Sequence, residues 1–257
     1  MMKHYKILPT ILMIALTISL NSCKKDDSSA TPSTSGSNGS TPSPQVGNVD
    51  GALVSLETDV TTIAGGFPFT VTTETGVATF FASTGNASSY INAGTVSVNT
   101  FSLDKQSNNS YIKSATIGQT PSSLNFGSQS SNWIVSGAGS VPAISYNHNS
   151  NFPSFTGTVP TSITRANGLT ITLGSDVNDA DSVIVFITKG SVSITRTFAG
   201  TAASAVISAS TLSSLPVVTD NSALIEVIPY SIHLQSFGGK NYAFVKEQAN
   251  VKSINIQ

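Results

Sequence analysis

The sequence predicts an all-β fold, built as one or two antiparallel β-sandwich domains. Apolar and polar residues alternate with a period of two along most of the chain beyond Asp50, a pattern typical of strands with one buried face. Clusters of Gly, Asn, Asp, Ser and Pro separate these runs and predict turns. Val, Ile, Thr, Phe and Tyr, which favour strands, are spread throughout, and the sequence has no amphipathic helical stripe.

The composition excludes several classes of function. The chain has 257 residues, of which 39% are hydrophobic and 10% charged, with a formal net charge of -1. This balance offers no basic surface for nucleic acid, and the hydrophobic content is too high for a disordered protein. One cysteine is present, so the chain can form neither an intramolecular disulfide nor a cysteine-based metal site.

Residues 1–22 have the organisation of a cleaved signal peptide. Lys3 and Lys6 give a basic start, and residues 7–20 follow as an apolar run. This run has about 14 residues, whereas a helix that spans a bilayer needs about 20. We therefore expect a leader that is removed, rather than a membrane span.

The end of the leader carries the cysteine. Leu20, Asn21, Ser22 and Cys23 resemble the lipobox of bacterial lipoproteins, from which Asn21 is a mild departure. The resemblance implies cleavage between Ser22 and Cys23, attachment of a diacylglycerol to the thiol, and acylation of the new amino group. Two or three acyl chains would hold the protein at a membrane, whereas one binds only marginally. The alternative is an ordinary secretory signal in which Cys23 is incidental.

The residues after Cys23 predict a location. Lys24, Lys25, Asp26 and Asp27 resemble the start of mature surface lipoproteins of Bacteroidota. That resemblance implies an outer-membrane lipoprotein that faces the cell exterior. A periplasm-facing position in the outer membrane is the alternative.

A linker joins this anchor to the folded part. Residues 28–46 are almost wholly Ser, Thr, Pro, Gly and Asn, which cannot bury enough apolar area to fold. As a flexible coil, the segment would separate its ends by about 25 Å. We therefore interpret residues 23–49 as a lipid-anchored cysteine followed by a disordered linker.

Residues 50–160 are predicted to form an N-terminal β domain. Its clearest feature is a predicted hairpin of strands 95–103 and 110–117, joined by the polar turn 104–109. A loop rich in Asn, Pro and Gly at 145–160 suggests a domain boundary near Pro160. Further strands are expected at 53–56, 67–72, 77–82 and 132–135.

Residues 161–257 are predicted to form a second domain. Short turn signals separate seven strand-like runs, the expectation for an immunoglobulin-like β-sandwich. Such an architecture does not by itself imply a function. The predicted strands are 168–173, 181–188, 191–198, 205–209, 223–232, 242–246 and 251–256.

One loop offers a candidate metal site. Asp176, Asn178, Asp179 and Asp181 bring hard oxygen ligands of the kind that calcium requires into a short segment. The alternative is a solvated polar turn between two strands.

Aromatic residues offer a candidate glycan site. Trp133, Tyr146, Phe152 and Phe155 fall in a loop-rich region, and exposed rings can stack on sugars. The alternative is that Trp133, flanked by apolar neighbours, fills the core of a strand pair.

No catalytic pattern stands out. His148 and His233 are too few for a zinc site, and the chain has no Gly-x-Ser-x-Gly motif for a nucleophilic serine. No cofactor motif is present either. A glycosidase pair would have to come from scattered carboxylates, of which no two are singled out: Asp50, Glu57, Asp59, Glu74, Asp104 and Glu226.

These observations favour a non-enzymatic cell-envelope lipoprotein that acts as a surface adhesion or interaction module. Its expected partners are the membrane, through the lipid anchor, and a glycan or another surface protein. A glycan-binding accessory lipoprotein of an outer-membrane sugar-uptake system is the alternative. An enzyme whose site is assembled from distant residues is the third possibility.

Overall fold

The computed structural model describes residues 46–64, 67–128 and 130–257. In these ranges the chain is mostly β-strand with one short α-helix, so the predicted all-β, sandwich-like class is confirmed. The leader, Cys23 and most of the linker lie outside the described residues. Within the described part, no helix is both long and apolar enough to cross a bilayer.

The elements follow the chain in two groups. Up to residue 150 the described strands are Gly51–Ala64 (β1), Phe67–Ser83 (β2), Asn86–Tyr90 (β3), Val96–Val98 (β4), Phe101–Ser102 (β5), Asp104–Lys105 (β6), Tyr111–Thr116 (β7), Ser131–Val135 (β8) and Ile144–His148 (β9). The remaining elements are Ser154–Phe155 (β10), Ser162–Ile163 (β11), Leu169–Thr172 (β12), Val177–Asn178 (β13), Ser182–Lys189 (β14), Val192–Ala199 (β15), Ser204–Ile207 (β16), Ala209–Leu212 (α1), Val218–Phe237 (β17) and Lys240–Ile256 (β18).

A 10-stranded sheet organises the molecule. Its main path runs β15-β14-β17-β18-β1-β2-β7-β6, with β11 paired to β18 and β3 paired to β2. Strand β1 lies in the middle, antiparallel to β2 and parallel to β18. Three small sheets accompany it: β5-β4-β8-β9, β12-β16 and β10-β13.

The predicted division at Pro160 falls within this architecture. Strands from residues 50–160 and from residues 161–257 hydrogen-bond side by side in the large sheet, where Gly51 pairs with Tyr242 and Thr61 with Lys252. The two segments therefore share a sheet. Whether each folds by itself stays a prediction.

Within the described ranges, the buried side chains form three clusters. We call the face of the large sheet that carries Leu53 and Phe244 the front face. One end of it packs against the β5-β4-β8-β9 sheet in the aromatic core, which includes Phe80, Tyr111, Phe126, Trp133, Tyr242 and Phe244. The other end contributes to the C-terminal core, which includes Leu173, Val185, Ile225, Val227 and Ile254. The opposite face carries the rear core, which includes Val54, Leu56, Ile184, Ile228 and Val245.

Gly76 in β2 allows the aromatic core to close. A Cβ atom at this position would lie 3.0 Å from Val98 Cγ1 and 3.7 Å from Trp133 Cη2. Any larger side chain would push the β5-β4-β8-β9 sheet away from the large sheet. The missing side chain thus sets the spacing of the two layers.

The C-terminal strands match the prediction closely, with one revision. The runs predicted at 168–173, 181–188, 191–198, 205–209 and 223–232 correspond to β12, β14, β15, β16 and β17. The runs at 242–246 and 251–256 are one long strand, β18. The sequence splits them because the front side chains between them are polar.

The hairpin predicted from 95–103 and 110–117 is wrong. Strand β4 pairs with β5 and β8, whereas β7 pairs with β2 and β6. Asn99 and Thr100 both have positive φ and turn the chain directly after β4. The predicted polar turn is real, but it joins only the short β6 to β7.

Candidate functional site

A band of polar side chains crosses the front face between the aromatic core and the C-terminal core. On the front face of β1, apolar Leu53 is followed by the polar residues Ser55, Glu57, Asp59 and Thr61. The residues of β18 that pair with these four are polar as well. Strand β2 contributes the residues opposite. We call this band the polar strip; it consists of Ser55, Glu57, Asp59, Thr61, Thr72, Glu74, Lys246, Gln248, Asn250 and Lys252.

The polar strip interrupts a face that is otherwise apolar. Leu53 and Phe244 precede it in the aromatic core, and Ile254 follows it in the C-terminal core. Ser55 and Lys246 are buried, whereas the other residues of the strip are partly exposed. The strip is therefore the part of the front face that is open to polar contacts with solvent or a partner.

The strip contains a cleft of about 300 Å³. Its floor comes from β1 and β18, and its wall is the segment Gly157, Thr158 and Val159. A Cβ atom at Gly157 would lie 2.6 Å from the Phe155 ring and 2.8 Å from Asp176 Oδ2. Only glycine therefore lets the wall pack this closely against Phe155 and Asp176. The lining residues are Asp59, Thr61, Gly157, Thr158, Val159, Asn250, Val251 and Lys252.

Hydrogen bonds fix the charged groups of the cleft. Asp59 accepts hydrogen bonds from Thr72 Oγ1 at 2.6 Å and from Gln248 Nε2 at 3.2 Å. Lys252 Nζ donates to the carbonyl oxygen of Val159 at 2.9 Å, which ties the wall to the floor. Asn250 Nδ2 is buried and has no hydrogen-bond partner among the described residues.

Two carboxyl groups face each other beside the cleft. Glu57 on β1 pairs directly with Glu74 on β2. Glu74 accepts hydrogen bonds from Ser123 Oγ at 2.9 Å and from the Leu124 backbone N–H. Burial raises the pKa of Glu57 to about 7, and the negative charge of Glu74 adds to the rise. Neither residue lines the cleft, so the open space does not lie over this carboxyl pair.

Lys246 lies at the end of the polar strip that adjoins the aromatic core. Its side chain is 0% exposed, its Nζ donates to the carbonyl oxygen of Ser150, and it lies 4.9 Å from the centroid of the Phe152 ring. Burial lowers the pKa of Lys246 to about 8, against the opposing effect of Glu57. The lysine thus anchors the loop after β9 to the sheet.

His148 and Ser150 form a hydrogen-bonded pair next to Lys246. Ser150 Oγ lies 2.8 Å from His148 Nε2, while His148 Nδ1 is buried without a partner among the described residues. Burial lowers the pKa of His148 to about 4, and the charges of Lys246 and His233 add to the effect. In serine hydrolases a carboxylate orients the second ring nitrogen. This pair has no such group in the described part of the chain.

No protein-family model, curated protein or solved structure matches this chain. The functional argument therefore depends on the geometry of the polar strip and on the sequence. Among the described residues, no group of three or more His, Cys, Asp or Glu side chains is arranged to hold a metal ion.

The structure does not assemble the predicted aromatic platform. Trp133 is 0% exposed and Phe155 is 6% exposed, so their rings offer no face to a sugar. Phe152 stacks on Phe126 with ring centroids 5.6 Å apart and lies against the ammonium group of Lys246. Tyr146 packs on Phe244 at 4.1 Å. Trp133, Tyr146 and Phe152 pack in the aromatic core, the alternative that the sequence raised for Trp133, whereas Phe155 packs in the C-terminal core.

The structure does not group the residues of the candidate calcium loop into a metal site among the described residues. Asp181 Oδ2 accepts a hydrogen bond from the Ile232 backbone N–H at 2.8 Å. Asp179 Oδ2 accepts one from Asn151 Nδ2 at 3.1 Å. Asp176 ends a short 3-10 helix, and Asn178 lies in β13. Asp179 and Asp181 thus have separate hydrogen-bond partners within the protein, as expected of a polar turn.

The sequence alone does not reveal the polar strip as a unit. Glu57, Asp59 and Glu74 appear in it only as scattered carboxylates, because the pairing of β1 with both β2 and β18 cannot be seen locally. A signal exists in β18, where alternate residues run Phe244, Lys246, Gln248, Asn250, Lys252 and Ile254. Polar residues that keep the strand period inside an apolar series indicate a polar patch on a covered face.

Proposed function

We propose that this protein is a cell-envelope lipoprotein, displayed on the outer-membrane surface, that acts without catalysis as an adhesion or interaction module. The anchor would be the lipidated Cys23, followed by the linker. The contact site would be the cleft in the polar strip. The observation that carries the proposal is a hydrogen-bonded, charged band where the sheet would otherwise continue apolar.

The arrangement of the cleft favours binding over chemistry. Asp59 and Lys252 are each held by hydrogen bonds to the protein, which gives a rigid polar surface. The carboxyl pair Glu57 and Glu74 lies beside the open space. A rigid hydrogen-bonding surface suits recognition, because it loses little conformational freedom when a partner docks.

The glycan-binding alternative now depends on the cleft. Its original candidates Trp133 and Phe155 are buried and cannot serve as stacking platforms. A sugar-uptake accessory protein would therefore have to recognise its ligand by hydrogen bonds rather than by exposed rings.

The anchor is tested by metabolic labelling with radioactive palmitate. We expect label in the wild type and none in Cys23→Ala, because the thiol is the proposed acceptor. Protease treatment of intact cells tests display and should remove the folded part. Equal labelling of both proteins, or protection from protease on intact cells, would contradict the corresponding part of the proposal.

The contact site is tested with cells that produce a variant whose cleft is filled by a larger side chain. Thr158 is an exposed wall residue, so Thr158→Trp fills the cleft without disturbing a core, and Thr170→Trp at an exposed position of β12 is the matched control. We expect attachment to glycan-coated or protein-coated surfaces to fall about tenfold with Thr158→Trp alone, the equivalent of 1.4 kcal/mol. Equal attachment by the wild type, both variants and a strain that lacks the protein would refute its role as an interaction module.

A further inference from the structure

The cleft carries chemical information about its ligand, and this inference rests on the proposed function. Its ionisable groups are one carboxylate, on Asp59, and one ammonium group, on Lys252. Each is bonded within the protein, Asp59 by Thr72 and Gln248, and Lys252 by the carbonyl of Val159. These two charges are opposite in sign and sum to zero, so the lining offers no net charge to attract a charged ligand, which would also have to be desolvated.

The cleft also disfavours an apolar ligand. Val159 is the apolar side chain of the wall, and Val251 belongs to the rear core, so its side chain points away from the front face. The other lining groups are hydroxyls, an amide, the two charged groups and backbone. Ligand pockets are usually lined mainly by hydrophobic side chains, with a few polar groups that fix orientation. This cleft has the opposite balance.

The volume limits the size of the ligand. About 300 Å³ is the lower end of the range for small-molecule sites, roughly 300–1,000 Å³. The cleft can thus enclose one compact polar ring, while the rest of a larger ligand extends into solvent over the exposed Thr158.

We propose that the cleft binds a single neutral sugar residue, such as the end of a glycan chain, through hydrogen bonds from Lys252 and Thr158 and to Asp59. Hydroxyl groups both donate and accept hydrogen bonds, which matches a lining that mixes an amide, an ammonium group and a carboxylate. The sugar lies between the wall and the floor without an aromatic stacking partner in the described lining.

Saturation-transfer NMR on the purified protein tests this ligand class. The probes are maltose and lactose as neutral sugars, and glucuronic acid and glucosamine as charged relatives of similar size. We expect saturation transfer to at least one neutral sugar at millimolar concentration. Binding should be about tenfold weaker for the charged relatives, the equivalent of 1.4 kcal/mol. Transfer to none of the neutral sugars, or stronger transfer to a charged one, would overturn the inference.

Variants assign the binding to the cleft. Asn250→Ala removes a polar side chain of the cleft floor, and Thr158→Trp fills the space from an exposed position, so loss of transfer with both is the expected result. Thr170→Trp should bind like the wild type, and thermal melting checks that each variant folds. Equal transfer in all three variants would overturn the inference.

The outcome separates this inference from the proposed function. If Thr158→Trp abolishes cell attachment while no neutral sugar binds, the interaction module stands and the sugar assignment fails. If neutral sugars bind the cleft but Thr158→Trp leaves attachment intact, the sugar assignment stands and the adhesion role fails.

Discussion

Glu247 has both carboxyl oxygens buried in β18 without a hydrogen-bond partner among the described residues. It points to the rear face, in register with Tyr230 of β17. Burial raises the pKa of Glu247 to about 8. The folded protein therefore holds this group as a neutral acid at neutral pH.

The ionisation of Glu247 should affect how the free energy of unfolding changes with pH. The unfolded carboxyl ionises near its ordinary pKa of 4.5, whereas the folded one stays protonated until about pH 8. Its contribution to stability is therefore complete below pH 4.5 and is lost as the pH rises to 8. We expect Glu247→Gln to match the wild type closely near pH 5 and to exceed it at pH 8.5 by on the order of 5 kcal/mol.

Urea unfolding of both proteins at the two pH values measures the difference. The comparison cancels the titration of other groups, such as His148. Asp104→Asn, at an exposed position, is the control and should show no pH-dependent gain. Parallel stability curves for wild type and Glu247→Gln would contradict a protonated Glu247.

Trp133 gives a second prediction at this scale. It is the single tryptophan, and it is 0% exposed in the aromatic core. We expect blue-shifted fluorescence that iodide does not quench until the protein unfolds. Trp133→Ala should cost about 3–5 kcal/mol, because a large cavity would remain. Strong iodide quenching in the native state would place the ring at the surface instead.

At the scale of elements, the turn between β4 and β5 depends on Asn99. Its φ is 45°, a conformation that asparagine tolerates better than most residues. Its side-chain amide donates to the carbonyls of Leu124, Asn125 and Ser130, and its Oδ1 accepts from the Asn132 N–H at 2.8 Å. One residue thus joins the turn to the start of β8.

Two substitutions separate these roles. Asn99→Gly keeps the backbone conformation but loses the hydrogen bonds, whereas Asn99→Ala loses both. We expect Gly to cost about 2 kcal/mol and Ala about 1 kcal/mol more. Thermal or urea unfolding gives both values. A Gly variant as stable as the wild type would show that the hydrogen bonds contribute nothing.

These elements show what the sequence could predict. The strands 181–188 and 191–198 are recognisable because the apolar run of the first, the alternation of the second and the Lys-Gly turn between them are local signals. The partners of 95–103 are not, because Asn99 reverses the chain through contacts with residues more than twenty positions away. The polar strip likewise depends on a parallel pairing between the first and last long strands, which no local pattern encodes.

At the scale of the molecule, the two halves depend on each other. Tyr242 and Phe244 complete the aromatic core, and β1 has β18 as one of its two neighbours. We expect residues 46–160 alone to lack a cooperative melting transition, because the core would lose these rings and β1 would become an open edge. Circular dichroism and amide-proton dispersion measure this against residues 46–257. A cooperative melt of the shorter protein would support two domains divided at Pro160.

The course of β1 has a geometric consequence. The chain enters the sheet at Asp50, whose backbone N–H bonds to the carbonyl of Asn241, and it reaches the cleft at Asp59 and Thr61. Ten residues of strand cover about 33 Å. Under the proposed anchoring, the point of attachment and the cleft therefore lie about 33 Å apart along β1. Attachment at one end of the strand would leave the cleft at the other end uncovered, while the predicted flexible linker would let the body turn it toward a partner.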